Sequence, residues 1–180
     1  DTNRDEKEEY IRKKAEPAIR YAEILLIYAE ALNELTGNYN IASWDEETQY
    51  TIQRNIDEMK KGIQPIRIRA GIPDYTRSEY EDQDLFREKL KRERQIELMG
   101  EGHRYYDIRR WKDAEVEESL PIYGCNTLMT EKWRDVFHVP VAIPSLPTNF
   151  SRKMYFWPIS HSELKRNKML TQNPGWTYND

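Results

Sequence analysis

The sequence is poor in residues that build metal sites, disulfides or membrane spans. Its 180 residues include one cysteine, Cys125, and three histidines. A lone cysteine excludes an intramolecular disulfide and a cysteine-based zinc site, and three histidines offer little material for a histidine cluster. No apolar run approaches the roughly 18 residues that cross a bilayer. We therefore expect no metal, no cofactor and no membrane-spanning helix.

The charge balance argues against nucleic acid as a partner. The formal net charge is −4, which argues against nucleic acid as a general partner. The aromatic content of 12%, with 12 tyrosines and 5 tryptophans, is too high for a disordered chain. A chain of this length fits one folded domain with a sizeable core.

The beginning of the chain, DTNRDEKEEYIRKKAEP, lacks an initiator Met, an apolar signal core and a lipid-attachment cysteine. A trimmed secreted protein or a piece of a longer one would begin in this way, and we favour the piece. We expect residues 1–16 to be a charged linker or lead-in and residues 17–180 to form the folded domain.

Helical periodicity dominates the first hundred residues. A first helix is predicted to start at Pro17 and to stop at Gly37. A capping-box pair, Ser43 and Glu46, predicts the start of a second helix, which ends near Gly62. Its apolar stripe is Ile52, Ile56, Met59 and Ile63. A third helix runs from about Asp82 to Gly100, and HRYYDIRRW forms a short fourth one.

The periodicity fades after Lys112. Prolines and mixed aromatics up to Phe150 indicate a long ordered loop region. MYFWPIS is expected to be extended, Ser160 and Glu163 to cap a single helical turn, and TQNPGW to form a closing turn. The predicted class is therefore all-α with long irregular loops.

Three carboxylates form a stripe on the third helix, because Glu93, Glu97 and Glu101 are spaced at i, i+4 and i+8. Unrelieved, such like charges destabilise a helix by roughly 0.2–0.5 kcal/mol per pair. We expect arginines to form an ion-pair lattice with them, covered by Tyr105, Tyr106 and Trp111. The expected arginines are Arg94, Arg104, Arg109 and Arg110.

A catalytic carboxylate pair is the alternative interpretation of Glu97 and Glu101. Glycoside hydrolases hold two carboxyl groups on opposite sides of a bound sugar. Residues one turn apart on one helix point the same way and cannot straddle a substrate, so we favour the structural role. His103 has no evident nucleophile or metal partner in the sequence.

The segment ERQIELMGEGHRYYDIRRWK, residues 93–112, closely resembles the signature of SusD/RagB proteins. Besides the stripe and the arginines, the resembling residues include Asp107. AEILLIYAEALNELTG, IRIRAGIPDYT and FWPISHSELKRNKMLTQNPGW are similar to further family segments, in the right order. Tyr106 and Met99 depart from the common residues without threatening the fold, and family members are considerably longer.

The resemblance implies a C-terminal SusD/RagB half with helices related to tetratricopeptide-repeat packing. It implies a cell-surface lipoprotein of the outer membrane that binds a glycan and serves a SusC-like TonB-dependent transporter. The lipid anchor would lie in a missing N-terminal region. The signature residues would be scaffold, and the protein would not be an enzyme.

Three alternatives stay open: a RagB-like peptide-binding protein, a glycoside hydrolase domain, and a module that binds only the transporter. Because sugar rings stack on flat aromatics while polar side chains contact hydroxyls, aromatics in aperiodic loops are the candidate ligand contacts. These candidates are Tyr39, Trp44, Tyr123, Asn126 and Trp133.

Overall fold

The computed structural model describes residues 17–125, 138–145 and 148–177. Two compact units divide the chain between Glu101 and Gly102. The elements of the first unit are α1 (Tyr21–Asn33), β1 (Tyr39–Ala42), β2 (Gln49–Ile52), α2 (Ile56–Arg69), α3 (Arg77–Glu81) and α4 (Gln83–Glu97). The linker predicted for residues 1–16 lies outside the described residues.

The second unit contains shorter elements. They are α5 (His103–Arg110), α6 (Ala114–Glu117), β3 (Tyr123–Gly124), β4 (Val141–Ala142), a 3-10 turn (Arg152–Tyr155) and α7 (His161–Arg166). Both sheets of the described residues are two-stranded antiparallel pairs, β1 with β2 and β3 with β4. The protein is therefore mostly helical, as the sequence predicted.

The core of the first unit forms where α1 packs on both α2 and α4. The fully buried side chains recur every three or four residues along each helix, which gives each helix one apolar face. Burying each large one stabilises the fold by about 1.5–3 kcal/mol. They include Leu26, Met59, Ile63, Phe86 and Leu90.

Gly62 explains why α1 and α2 approach so closely. It is buried within α2, and a β-carbon there would lie 2.5 Å from the carbonyl oxygen of Leu25 and 2.8 Å from the β-carbon of Ala29. The prediction that Gly62 ends the helix is wrong. This glycine lets two backbones touch, and α2 continues through Pro65 to Arg69.

The predicted start of the second helix is also wrong. Ser43 and Glu46 lie in the turn between β1 and β2, and Ile52 is in β2. Asn55 caps α2 instead, because its side chain accepts a hydrogen bond from the backbone N–H of Glu58. A Ser-x-x-Glu pattern also suits a turn, so it did not distinguish the two structures.

The other predicted helices have bounds within a few residues of those in the structure, and one further helix was not predicted. The first helix begins at Tyr21 and ends at Asn33, inside the predicted limits. The third begins directly after Asp82, whose side chain accepts from the N–H groups of Asp84 and Leu85. The short helix α3, which the sequence analysis missed, starts at a capping box of Thr76 and Glu79.

A buried polar cluster ties the end of α1 to the segments around it. The Asn33 side chain, 1% exposed, donates to the backbone oxygen of Gln83 over 3.1 Å and accepts from Arg54 Nη2 over 3.0 Å. Arg54 also donates to the backbone oxygen of Tyr80. Because an unpaired buried amide costs about 1–3 kcal/mol, these bonds make Asn33 acceptable in the core.

The second unit has its own small core of Ile108, Ala114 and Phe150, with Tyr155 packed against it. The closing segment folds back on residues 153–159 through side-chain hydrogen bonds. Trp176 Nε1 donates to the carbonyl of Phe156 over 2.9 Å, and Gln172 exchanges two bonds with the backbone of Ile159. The predicted closing turn is confirmed at residues 174–175.

Two predictions for the second unit need correction. The region from Lys112 to Phe150 is irregular over most of its described residues, but it also contains α6, β3 and β4. MYFWPIS is not wholly extended, because Met154 and Tyr155 belong to the 3-10 turn. The cap at Ser160 is confirmed, since its hydroxyl accepts from the N–H of Glu163 and α7 follows.

We predict that Gly62→Ala lowers the free energy of unfolding by roughly 1–3 kcal/mol, because the added methyl group must push α2 away from α1. Urea unfolding followed by circular dichroism measures the change. Gly37→Ala is the matched control, since a β-carbon at Gly37 meets nothing within 4 Å. Equal stability of the Gly62 variant and the wild type would contradict the close contact.

Candidate functional site

The β1–β2 hairpin presents a surface of aromatic and aliphatic side chains. Its register pairs Tyr39 with Ile52 and Ile41 with Tyr50. Because side chains alternate between the two faces of a strand, these four share one face of the hairpin. Trp44 follows in the connecting turn. We call Tyr39, Ile41, Trp44 and Tyr50 the hairpin surface.

Hydrogen bonds hold the turn in which Trp44 lies. The Ser43 N–H donates to the carbonyl of Thr48 over 2.7 Å, and the Thr48 N–H donates to the Ser43 hydroxyl oxygen over 3.0 Å. The Ser43 hydroxyl and the backbone N–H of Glu47 both donate to the Asp45 carboxylate. These two hydrogen bonds keep the pKa of Asp45 below its usual range. The indole therefore projects from an ordered turn that ends in an anionic side chain.

The hairpin surface is open to solvent. Trp44 is 96% exposed, and Tyr39, Ile41 and Tyr50 are each about half exposed at 46%, 47% and 52%. Single exposed apolar residues are ordinary, but several on one small element make the hairpin the candidate contact site of the first unit. Tyr39 and Trp44, both predicted from the sequence, thus lie on the same hairpin.

The other three residues predicted to contact a ligand do not belong to this hairpin. Tyr123, 57% exposed, lies in β3 of the second unit, opposite Ala142. Asn126 and Trp133 lie outside the described residues. Ile41 and Tyr50 were missed because the segment was predicted to lead into a helix. The alternation of polar and apolar residues in YNIA and QYTI is the sequence signal that indicates strands.

The first carboxylate of the predicted stripe, Glu93, is buried. Glu93 has 7% of its side chain exposed, and it accepts from Arg67 Nη1 over 2.6 Å and from the Tyr75 hydroxyl over 2.8 Å. The Arg67 guanidinium also stacks on the Tyr75 ring at 3.8 Å. Burial and the bond to Glu93 raise the pKa of Tyr75, so this hydroxyl stays protonated and donates.

The next two carboxylates share one arginine. Arg20, the residue before α1, binds Glu97 over 2.9 Å and Glu101 over 2.6 Å, and Arg69 of α2 binds the other oxygen of Glu97 over 2.5 Å. Arg20 also donates to the Glu97 carbonyl. The hydrogen bond to Glu101 is the main cause of the raised pKa of Arg20.

The structure thus gives Glu93 and Glu97 other partners than the arginines named from the sequence. Those arginines bind acids of their own: Arg94 lies 3.7 Å from Glu23, Arg104 binds Glu117, Arg109 binds Glu118 and Arg110 binds Asp107. Tyr106 is 70% exposed, so it gives little of the expected apolar cover. Arg67 and Arg69 belong to the IRIRAG segment, and only the packing of α2 on α4 shows their role.

The geometry of the stripe does not suit acid–base catalysis. Glu97 is the last residue of α4, whereas Glu101, predicted to lie on the same helix, follows the end of α4. Both carboxylates are bound to Arg20 rather than opposed across a cleft. Among the described residues, no group of three or more histidines, cysteines or carboxylates is arranged to hold a metal ion. The stripe is therefore a structural ion-pair network that connects α1, α2 and α4.

Comparison with known proteins identifies the family. The sequence pattern that defines the SusD family matches residues 1–176. The SusD-like protein P2 of Formosa agariphila is 31% identical over 162 residues, which are 88% of this chain and 25% of that protein. This chain belongs to the SusD family.

Solved structures agree with this assignment. A SusD-like protein of Bacteroides fragilis superposes with a TM-score of 0.63 at 28% identity, over 88% of this chain and 25% of the other. The selenomethionine form of BT4246 gives 0.69 at 26% identity, over 88% and 24%. The chain therefore has a SusD-like fold, with the helical packing expected from the resemblance, and spans about a quarter of these relatives.

None of the helices in the described part of the chain combines the length and the apolar character needed to cross a membrane.

We predict that Glu97→Ala lowers the free energy of unfolding by roughly 2–3 kcal/mol. The carboxylate side chain is 10% exposed and neutralises two arginines, whose partial exposure keeps the loss below that of a fully buried pair. Glu88→Ala on the same helix is the control. Glu88 is 71% exposed and pairs with Lys91 one turn away, so we expect a loss of less than about 0.5 kcal/mol. Urea unfolding measures both changes. An equal loss of unfolding free energy in the two variants would contradict the network.

Proposed function

We propose that this chain is the C-terminal part of a cell-surface nutrient-binding lipoprotein that captures an oligosaccharide. The observation that carries the proposal is the hairpin surface, where Trp44 is 96% exposed on the ordered turn of a hairpin that also carries two half-exposed tyrosines. Membership of the SusD family supports the nutrient-binding role.

The chemistry of sugars suits this surface. A pyranose ring has an apolar face of C–H groups, which packs on an aromatic ring, and a rim of hydroxyls, which needs polar partners. The hairpin supplies both kinds of contact. Trp44, Tyr39 and Tyr50 offer flat rings, and the ionised Asp45 beside Trp44 is a strong hydrogen-bond acceptor for a hydroxyl.

Capture without chemistry is the activity that these groups support. A hydrolase needs two carboxyl groups about 5–10 Å apart on opposite sides of the scissile bond. The acids of the α4 stripe are bound to arginines on one side of a helix, and Asp45 is a surface acid in a turn. A weakly bound ligand that is not altered would be passed to a second protein.

The remaining parts of the proposal come from the family. We propose that the acceptor of the ligand is a SusC-like TonB-dependent transporter in the outer membrane. We propose further that a lipid anchor in a preceding segment holds the protein at the cell surface. The relatives, about four times as long as this chain, have ample length for such a segment.

We predict that the protein binds at least one neutral oligosaccharide with a dissociation constant between micromolar and millimolar, roughly −8 to −4 kcal/mol. Trp44→Ala should weaken this binding at least tenfold, because the largest open ring is lost. Trp44→Phe should keep most of it. Isothermal titration calorimetry against a panel of plant and host glycans provides the measurement.

Trp157→Ala is the matched control for Trp44→Ala. It removes the same side chain from a position that is 76% exposed in the second unit. An equal loss in both variants would place the binding elsewhere than on the hairpin. If the protein binds peptides and no glycan, the proposed ligand is wrong, and the ligand is a peptide as in RagB-like proteins.

We also predict that pure protein releases no reducing sugar from any polysaccharide that it binds. A reducing-end assay over several hours tests this, with Glu97→Gln and Asp45→Asn as paired variants. Turnover that one of these substitutions abolishes would show a catalytic carboxylate and make the protein a glycoside hydrolase.

A further inference from the structure

A cavity of about 580 Å³ lies within the second unit. Its walls come from the end of α5, the 3-10 turn and the closing segment at Pro174 and Gly175. Four of its lining side chains are basic and two are aromatic. They are Arg109, Lys112, Arg152, Lys153, Tyr155 and Phe156.

The positive charge of the cavity is only partly neutralised. Arg109 is compensated by Glu118, whose two oxygens accept from its two terminal nitrogens over 3.1 and 3.0 Å. Lys112 and Arg152 form no ion pair within the described part of the chain. Glu115 is the one carboxylate among the residues that line the cavity. Even with Glu115 counted, Lys112 and Arg152 leave a net positive charge on this concave wall, and such a charge attracts an anion.

The backbone fixes Lys112 at the cavity. Its φ of 62° is in the left-handed region, which residues with a β-carbon rarely adopt. Two hydrogen bonds that end α5 impose this conformation, from the N–H of Lys112 to the Arg109 carbonyl and from the N–H of Asp113 to the Ile108 carbonyl. These are the two hydrogen bonds of a Schellman motif, so Lys112 is the left-handed residue that ends α5 and its position at the cavity follows from the end of this helix.

The rest of the wall suits a sugar ring. The Phe156 ring is 59% exposed and can pack on an apolar sugar face.

We propose that this cavity binds an acidic saccharide, with the oxyanion of a uronate or a sulfate ester between Lys112 and Arg152 and the sugar ring against Phe156. The identity of the ligand as a saccharide rests on the proposed function. None of the residues that line the cavity belongs to the hairpin surface, so the two proposals can fail independently.

The test is calorimetry on the 180-residue chain with three trisaccharides at low salt: trigalacturonate, a sulfated galactose trisaccharide and neutral galactotriose. We expect at least one acidic ligand to bind ten or more times tighter than galactotriose. The carboxylate and sulfate ligands distinguish the two oxyanions. Lys112→Gln with Arg152→Gln should weaken the acidic ligand at least tenfold.

Lys165→Gln with Lys168→Gln is the matched control, because it removes two exposed cations from the same unit outside the cavity lining. We expect this variant to bind within threefold of the wild type. Phe156→Ala keeps the charge, and it should weaken the trisaccharide while leaving competition by inorganic sulfate unchanged.

Four results would overturn the proposal. They are equal affinity for acidic and neutral trisaccharides, equal losses in the two double variants, sulfate alone binding as tightly as the acidic trisaccharide, and loss of the acidic ligand in Trp44→Ala. The last result would move the acidic ligand to the hairpin. If none of these four results is obtained and neutral glycans do not bind, only the proposal for the hairpin surface is contradicted.

Discussion

The buried carboxylates of α4 are the constraint on which the first unit depends. Glu93 and Glu97 are almost removed from solvent, and a carboxylate there is tolerated only when cations and hydrogen bonds replace the lost water. Arg20, Arg67 and Arg69 provide that replacement from α1 and α2. The three helices therefore pack in an arrangement that brings these arginines to the carboxylates, because Glu93 and Glu97 would otherwise be buried without a partner.

Apolar packing and this ion-pair network support the same arrangement. Gly62 allows α1 and α2 into backbone contact, and that contact lets arginines at both helices reach the α4 carboxylates. Asn33 and Arg54 then tie the end of α1 to the segment that follows the hairpin. The hairpin itself takes no part in the core, so its exposed aromatics are free to contact a ligand without loss of stability.

The second unit distributes its charges differently. Arg104, Arg109 and Arg110 are matched by acids close in sequence, which stabilises short elements around a small core. Lys112 and Arg152 line the cavity outside these pairs. Arg109 belongs both to the family signature and to the cavity lining, and Glu118 neutralises it there.

The sequence by itself determined the helical class, the first and third predicted helices and the family, because apolar spacing and motif order are local properties of the chain. It also selected Tyr39 and Trp44 as open aromatics. It did not determine which arginine meets which glutamate, since Arg20 and Arg67 are distant in sequence from α4. Only the tertiary structure decided those pairs. It also decided that Ser43 lies in a hairpin turn and that Gly62 is a contact point, because both depend on what packs against the segment.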